Sequence, residues 1–294
     1  MSHDEPIAED LTRTVLARIA ATPDERLREV MASLVRHLHA FARDVGLREP
    51  ELMAAVRFLT ETGRTCTEDR QEFVLLSDTL GLSSLVDELG GAGAGGATPS
   101  TILGPFYVPD APLRASGTSI ADVDLGGEPL LVDGEVADTA GRPLAGAVAD
   151  VWQTAPNGRY DVQDPDQPRH NLRGRFRTDA EGRFSFRTVR PVSYPIPDDG
   201  PVGRLLRATG RHPWRAAHIH AIVSAPGHRS VTTTVFDAED GYLGSDAVFG
   251  VKPELARTFE RAPGGGLRLT ERFTLAPLAP PAQNERPMAK RSSP

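Results

Sequence analysis

A change in the spacing of apolar residues constrains this fold more than any other feature. It falls at the Gly- and Ala-rich segment 90–97, which we expect to be a flexible connector. Before that segment apolar residues recur every three or four positions, which is typical of amphipathic helices. After it apolar residues alternate between frequent Pro and Gly, which indicates short strands. We therefore expect an α+β chain, with an N-terminal helical region followed by an antiparallel β-sandwich. The helical spacing is clearest at Leu27, Val30, Met31, Leu34, Val35, Leu38 and Phe41.

Three helices are predicted in the N-terminal region. The first has Thr22 as its N-cap and ends at Gly46. The second covers 50–62, with Gly63 as its predicted stop, and the third begins near 67–69. These helices are too few to form a large core of their own. Their apolar stripes are therefore expected to cover the second domain or to join two subunits.

Seven strands are predicted after the connector. Two turns that contain Asp and Gly, 138–141 and 179–182, are predicted to close β-hairpins between consecutive strands. The resulting domains are a helical dimerisation domain over 1–98 and a β-sandwich over 99–280, followed by a tail over 281–294 with the composition of a disordered segment. The predicted strands are 130–136, 147–153, 174–178, 183–189, 217–224, 230–236 and 267–275.

Charge and cysteine content exclude several classes of protein. The net charge is −7 and no long basic run is present, so no nucleic acid is expected as a partner. The single cysteine, Cys66, excludes an internal disulfide and fits a reducing compartment. The acidic N-terminus lacks the apolar stretch of a signal peptide, and no apolar run is long enough to cross a membrane. We expect a cytoplasmic protein that does not insert into membranes.

One predicted strand carries a His-x-His pair, His218 and His220. Residues i and i+2 of a strand point to the same face, about 6.6 Å apart, so both imidazoles can reach one metal ion. With eight histidines in the chain, such a pair also arises by chance. Two tyrosines, Tyr160 and Tyr194, lie next to turn-forming residues and would ordinarily be half-buried at the rim of a domain. Arg215, three residues before His218, could simply form a surface ion pair.

Four longer stretches decide between these readings. TILGPFYV (101–108), VWQTAPNGRYDVQDP (151–165), GRFRTDAEGRFSFRTVRPVSYPIPDDGPVG (174–203) and GRHPWRAAHIHAIVSAPGHRSVTT (210–233) resemble the intradiol ring-cleavage dioxygenases. That family includes catechol, chlorocatechol and hydroxyquinol 1,2-dioxygenases. The resemblance implies that the β-sandwich is the catalytic domain and holds one non-haem Fe(III) per subunit. It also implies a diol ring cleaved between its two hydroxyl carbons, with both atoms of O2 inserted.

The resemblance assigns roles to individual residues. The metal ligands that it implies are Tyr160, Tyr194, His218 and His220. Phenolate oxygen suits the hard Fe(III) ion, and neutral imidazoles complete the set without added charge. Tyr194 is also expected to accept a proton from the substrate. Arg215 matches an active-site arginine that stabilises negative charge on the ring.

The resemblance is greatest to the hydroxyquinol-type members. It implies that benzene-1,2,4-triol is converted to 3-hydroxy-cis,cis-muconate, the enol form of maleylacetate, in the breakdown of aromatic compounds. Catechol or chlorocatechol, giving cis,cis-muconates, is the alternative substrate. The Asp78 carboxylate could accept a hydrogen bond from the third ring hydroxyl, or it could be a solvated helix acid. The residues implied to line the substrate pocket are Leu75, Asp78, Ile102, Gly104, Pro105, Ile196, Pro197, Arg215 and Val248.

Three positions depart from the family pattern, namely Thr234, Ala216 and Ala221, and they leave the choice among the diols open. The family also implies a homodimer joined through the N-terminal helices, with phospholipid at the interface. Two other classes compete. A non-catalytic transthyretin-like β-sandwich would not need the Tyr and His set, and a cupin-type metal enzyme would need a Glu that 221–226 does not contain.

Overall fold

The computed structural model describes residues 5–67, 70–91 and 95–278. The chain divides into two compact units, Met1–Glu61 and Thr62–Pro294. In the first unit, helix α1 (Glu5–Ile19) packs against α2 (Glu25–Asp44), and α3 (Glu49–Thr65) follows. None of the helices in these described ranges is long and apolar enough to cross a membrane.

Helix α2 begins two residues later than predicted. The Asp24 side chain accepts a hydrogen bond of 2.7 Å from the backbone N–H of Leu27, so Asp24 and not Thr22 is the N-cap. Asp caps at least as well as Thr, and its charge is favourable at a helix N-terminus. The predicted end is confirmed, since α2 stops at Asp44 and Gly46 adopts the left-handed conformation with φ 59°.

The predictions for the next two helices were partly wrong. Helix α3 continues through Gly63 to Thr65, and Gly63 packs beside the ring of Phe73 without adopting the left-handed conformation of a helix stop. The predicted third helix is two helices, α4 (Glu72–Thr79) and α5 (Leu82–Gly91), because Gly81 breaks it with φ 74°. Part of the predicted start, 68–69, lies outside the described residues.

Helix α5 also contradicts part of the predicted connector, since Gly90 and Gly91 are its last residues. The following residues 92–94 and the predicted tail at 281–294 lie outside the described residues. The rest of the second unit contains one helix that the sequence did not predict, α6 (Pro201–Ala208), with Pro at its first position.

Two sheets form the β-sandwich of the second unit. The first sheet, in the order β3-β2-β7-β8-β9, consists of Arg173–Arg177, Val148–Trp152, His218–Ser224, Val231–Asp237 and Ala256–Arg257. The second sheet, in the order β10-β11-β1-β4, consists of Glu260–Arg261, Leu267–Leu275, Pro129–Asp138 and Arg183–Val189. A separate pair joins β5 (Tyr194–Pro195) to β6 (Trp214–Arg215). All seven predicted strands are present, with ends that agree to within two residues, and the α+β class is confirmed.

Both predicted hairpins are wrong, although both turns exist. The turn at 138–141 leads from β1 in the second sheet to β2 in the first, and 179–182 leads from β3 to β4 in the opposite sense. In the first turn Asp138 accepts hydrogen bonds from the backbone of Ala140 and Arg142, which fixes the local bend but not the partner of either strand. Strand β1 instead pairs parallel with β11 and antiparallel with β4, so the sandwich is mixed.

The apolar core lies between the two sheets. Alternate residues of β7, namely Ile219, Ala221 and Val223, point into it and meet Phe184 and Leu269 from the second sheet, among others. Because side chains alternate along a strand, the intervening residues of β7 lie on the outer face of the first sheet. The two histidines are therefore separated from the sandwich core by their own strand.

Candidate metal centre

Four donor atoms converge on the outer face of the first sheet. The Tyr160 hydroxyl lies 3.1 Å from the Tyr194 hydroxyl, which is 3.4 Å from Nε2 of His218. That nitrogen is 3.0 Å from Nε2 of His220. All four side chains are buried, each exposing 3 % or less of its surface. Atoms that ligate one ion at about 2.0–2.1 Å lie roughly 3 Å from each other, so these spacings fit a metal centre.

Contacts on the far side of each imidazole fix the orientation of both rings, with Nε2 of His218 beside the Tyr194 hydroxyl and Nε2 of His220 beside that of His218. Nδ1 of His218 donates to the carbonyl oxygen of Ala216 at 2.6 Å. Nδ1 of His220 lies 3.3 Å from the Thr234 hydroxyl, which is 2.7 Å from the Thr101 hydroxyl. With Nδ1 as donor, each Nε2 keeps its lone pair. Ala216 and Thr234, which depart from the family pattern, therefore still provide a hydrogen-bond partner for Nδ1 of each histidine.

Burial sets the charge state of the histidines. It lowers the pKa of His218 and of His220 well below the ordinary value, and the positive charge of Arg215 lowers both further. Both rings are therefore neutral near pH 7, as a metal ligand must be. In the described residues no three His, Cys, Asp or Glu side chains gather into a group that could hold a metal ion. The hydroxyl oxygens of Tyr160 and Tyr194 are the further donor atoms beside the two imidazoles.

His220 belongs to a row of side chains that crosses four strands. Arg173 of β3 is opposite Trp152 of β2, which is opposite His220 of β7, which is opposite Thr234 of β8. Directly opposed residues share one face of a sheet. The Trp152 ring stacks on the His220 imidazole with centroids 4.8 Å apart and planes at 10°. Sequence reasoning missed Trp152 and Arg173, and the period of two in their strands is the signal that could have placed them on this face.

Tyr160 is enclosed by aromatic rings. Phe106 stacks on it at 4.8 Å, and the Tyr194 ring meets it edge-on at 5.6 Å. Burial raises the pKa of the Tyr160 hydroxyl well above its ordinary value, and the neighbouring Tyr194 raises it further. A strong positive charge between the hydroxyls would reverse this effect, because it favours the phenolate.

Arg215 lies beside the same donor atoms. Its side chain is 4 % exposed, so the surface ion pair is excluded. Nη1 donates to the Tyr194 hydroxyl at 3.3 Å, and Nε lies 3.2 Å from Oδ1 of Asp246. Burial favours a lower pKa for this guanidinium, but the charges of Tyr194 and Asp246 outweigh it and raise the pKa. Asp246, which sequence reasoning missed, also accepts a hydrogen bond from the Gly250 backbone and so holds Arg215 in place.

Helix α4 and its neighbours form an apolar wall. Leu75, Ile196 and Val248 belong to one buried cluster with Val202, Leu206 and Ala247, and Ile102 packs against it. A cleft of ≈ 1000 Å³ is lined by Asp78, Ile102, Gly104 and Pro105, among others. A Cβ on Gly104 would lie 3.7 Å from Nε2 of His220, so this glycine joins the cleft to the donor atoms. Pro197 is half-buried and follows Ile196 in the chain, but it belongs neither to this cluster nor to the residues that line the cleft.

Two further positions are settled by their burial. Asp78 is 3 % exposed, so it is not a solvated helix acid. Its burial raises the pKa of the carboxyl group, while a hydrogen bond from Ser83 and the charge of Arg215 act in the opposite direction. Ala221 is 1 % exposed and points into the sandwich core, so this departure concerns core packing and not the metal centre.

Known proteins are similar to this chain in sequence and in fold. Family profiles described as "Dioxygenase" and "Catechol dioxygenase N terminus" match residues 102–274 and 24–98. The 6-chlorohydroxyquinol 1,2-dioxygenase of Cupriavidus pinatubonensis is 48% identical over 91% of this chain and 97% of its own length. The hydroxyquinol 1,2-dioxygenase of a Rhizobium species is 50% identical over 87% of this chain and 86% of its own.

Solved structures of dioxygenases are similar to this chain in fold. A hydroxyquinol 1,2-dioxygenase from Pseudomonas putida superposes with a TM-score of 0.90 at 44% identity, covering 93% of this chain and 100% of that one. A catechol 1,2-dioxygenase from Pseudomonas arvilla superposes with a TM-score of 0.79 at 31% identity, covering 97% and 96%. A non-catalytic transthyretin-like module and a cupin are not among the matches described by these comparisons.

Proposed function

Because the chain belongs to the intradiol ring-cleavage dioxygenase family, we propose that its preferred substrate is hydroxyquinol and its product 3-hydroxy-cis,cis-muconate, the enol form of maleylacetate. Two of the relatives above are named for hydroxyquinol or its 6-chloro form, at 48% and 50% identity. The observation within the chain that carries the proposal is the buried Asp78 carboxylate beside the cleft. Catechol and chlorocatechol are the competing substrates.

We further propose that Tyr160, Tyr194, His218 and His220 hold one non-haem Fe(III) per subunit. The assignment is supported by the run of four donor atoms from Tyr160 through Tyr194 and His218 to His220, in which each atom lies 3.0–3.4 Å from the next. Bound there, Fe(III) would withdraw electron density from a coordinated diol and make its ring reactive toward O2. Phenolate coordinated to Fe(III) absorbs visible light, so purified protein should be red. A preparation that stays colourless after reconstitution with iron would refute the ligand assignment.

The chain's own residues have two further roles in this proposal. The Tyr194 oxygen, which lies between the Tyr160 oxygen and Nε2 of His218, accepts a proton as the diol enters. The Arg215 guanidinium, 3.3 Å from that oxygen, stabilises the negative charge that develops on the ring. A charge fixed in a buried site acts strongly, because little water competes with it. Arg215→Met should therefore lower kcat while iron content stays near that of the unaltered protein.

Asp78 is proposed to distinguish hydroxyquinol from catechol. A hydrogen bond from the third ring hydroxyl to a charged acceptor contributes about 1.5–3 kcal/mol, whereas catechol would leave the buried carboxylate without that partner. We expect the unaltered protein to prefer hydroxyquinol on the order of ten- to a hundredfold in kcat/KM.

The test is the kinetics of Asp78→Ala with both diols and identification of the product. The substitution should lower turnover of hydroxyquinol while sparing or improving that of catechol. Glu88→Gln, an exposed acid on α5, is the matched control and should change neither. Equal losses with both diols would make Asp78 structural, and an unaltered enzyme that prefers catechol would overturn the substrate proposal.

Assembly and location also belong to this proposal. We propose a homodimer joined through the N-terminal helices, with phospholipid at the interface. Support comes from α2, whose large apolar side chains are about half exposed within the first unit, including Leu34 47% and Leu38 53%. We also propose that the chain consists of a helical dimerisation domain over 1–98 and a catalytic β-sandwich domain that begins at residue 99. A cytoplasmic location stays a prediction.

A further inference from the structure

Arg173 is buried more completely than its contacts within the chain explain. Its side chain is 1% exposed, and Nε donates to Oδ1 of Asp161 at 2.7 Å. Nη2 lies 2.6 Å from the same oxygen, yet neither Nη atom has a hydrogen-bond partner of good geometry in the part of the chain that the structure describes. Burial of a guanidinium is costly even when it is paired, so a cation at this position calls for a further explanation.

The surroundings of Arg173 connect it to Tyr160. The guanidinium carbon lies over the Tyr160 ring, 5.8 Å from its centroid. Its ion-pair partner, Asp161, is the residue that follows Tyr160 in the chain. The other carboxylate oxygen of Asp161 accepts a 2.8 Å hydrogen bond from the backbone N–H of His170. One carboxylate therefore ties the backbone next to Tyr160 to both β3 and the loop before it.

That loop holds an unusual backbone. His170 and Leu172 have φ of 66° and 58°, the left-handed region that residues other than glycine rarely occupy. Such conformations persist where surrounding contacts determine them, and they are frequent at functional sites. Here the loop is held by the ion pair of Arg173 with Asp161, by the hydrogen bond that the His170 backbone N–H donates to the same carboxylate, and by the hydrogen bond from the Leu172 backbone N–H to the Ile120 carbonyl oxygen.

We propose that Arg173, held by Asp161, is a positioning residue for Tyr160 that fixes the direction of its ring and offsets the negative charge of its phenolate. The inference rests on the proposed function, because only a ligand phenolate would carry that charge. A cation near the face of an aromatic ring is attracted by it, and more strongly where water is excluded. Arg173 is also the first residue of the cross-strand row that continues through Trp152 to His220. One row of the sheet therefore supports both a tyrosine and a histidine of the proposed centre.

The test uses the full-length iron-loaded protein with Arg173→Met and Arg173→Lys. Removing the positive charge should leave the Tyr160 phenolate a better electron donor, so its charge-transfer band should move to longer wavelength in Arg173→Met. Loss of iron to a chelator should become faster on the order of 10- to 100-fold, the usual effect of removing a group that supports a ligand. Arg173→Lys keeps the charge and should lie between. Arg177→Met, an exposed arginine of the same strand, is the control and should match the unaltered protein.

A folded Arg173→Met protein with an unchanged band and unchanged iron retention would overturn the inference. If that variant does not fold, Asp161→Asn keeps the shape of the partner and releases the guanidinium. It should shift the band and loosen iron, and an unchanged band in that variant would overturn the inference equally. Absence of any visible band in the iron-treated unaltered protein would instead contradict the proposed ligand set, so the two failures are distinguishable.

Discussion

The Thr234 hydroxyl shows how one atom can support a residue that we propose as a metal ligand. It is the group beside Nδ1 of His220, and Thr101 lies on its other side, so three polar atoms form a short buried chain. Thr234 can accept from the imidazole and donate to Thr101 at once, because a hydroxyl does both. The position that departs from the family pattern therefore still fixes the tautomer of its neighbour.

We expect Thr234→Val to weaken iron binding on the order of tenfold or more. Valine keeps the shape of threonine but leaves the buried Nδ1 of His220 without a partner, at a cost of about 1–3 kcal/mol. Competition for iron with a chelator measures the change. Thr234→Ser retains the hydroxyl and should restore most of the affinity. Equal affinity in Thr234→Val would show that Trp152 and the strand alone orient His220.

Asp150 gives a prediction about pH. Burial raises the pKa of its carboxyl group from 3.8 to about 6, opposed by a hydrogen bond from Tyr107 and the charge of Arg175. The folded chain therefore binds a proton more tightly than the unfolded chain does, so Asp150 contributes stability below pH 4 that is lost as pH rises through about 6. Asp150→Asn should raise Tm at pH 7–8 and flatten the change between pH 4 and 6. An unchanged difference in Tm across this range would contradict the shifted pKa.

Two short helices of the second unit are joined by a single buried carboxylate. Glu72, at the start of α4, is fully buried, and Oε1 accepts a 3.1 Å hydrogen bond from the backbone N–H of Val202 in the first turn of α6. Its other oxygen pairs with Arg70 at 2.9 Å. A carboxylate at a helix N-terminus satisfies a free N–H and is favoured by the helix dipole. This contact sets the wall that carries Leu75 and Ile196.

Loss of this charge should be measurable as a loss of stability. We expect Glu72→Gln to lower the free energy of unfolding by about 1–3 kcal/mol, the range for a hydrogen bond to a charged group and its unpaired partner. Urea denaturation gives the value. Gln71→Ala, one residue earlier with an exposed side chain, should change it by roughly 0.5 kcal/mol or less. A Glu72→Gln protein as stable as the original would show that the charge of Glu72, and with it the ion pair with Arg70, does not stabilise this contact.

The strands show what sequence patterns can and cannot determine. Alternation along β7 predicted that His218 and His220 share a face, and this was correct because the period of a strand is local. The turn at 138–141 was also recognised, yet its two strands enter different sheets, since the choice of partner depends on residues far along the chain. Trp152, Arg173 and Asp246 were missed for the same reason. The positions of Trp152 and Arg173 follow from cross-strand register, and that of Asp246 from the course of the loop after β8, and neither can be obtained from spacing along the chain.

At the scale of the whole molecule, the exposed apolar side chains along α2 predict that the protein is a dimer. The stripe exposes Leu27, Val30, Leu34, Leu38, Phe41 and Val45. We expect a dimer in light scattering at micromolar concentration, and a shift to monomer in Leu34→Glu with Leu38→Glu, because two buried charges would be costly. Arg36→Gln, on the opposite side of the same helix, should leave the dimer intact. A double variant that remains dimeric would place the interface elsewhere.

The parallel pairing of β1 with β11 has a consequence for synthesis of the chain. Leu130 pairs with Leu267 and Asp138 with Leu275, so the first strand of the sandwich finds its partner at the end of the domain. While the ribosome is still translating the intervening region, β1 has only β4 beside it and presents an open edge. Such long-range pairing is slow and exposes strand edges to other chains. The edge of β1 that β11 covers thus stays open while all four residues of the proposed centre, two tyrosines and two histidines, are being made, and it closes only after Leu267 emerges.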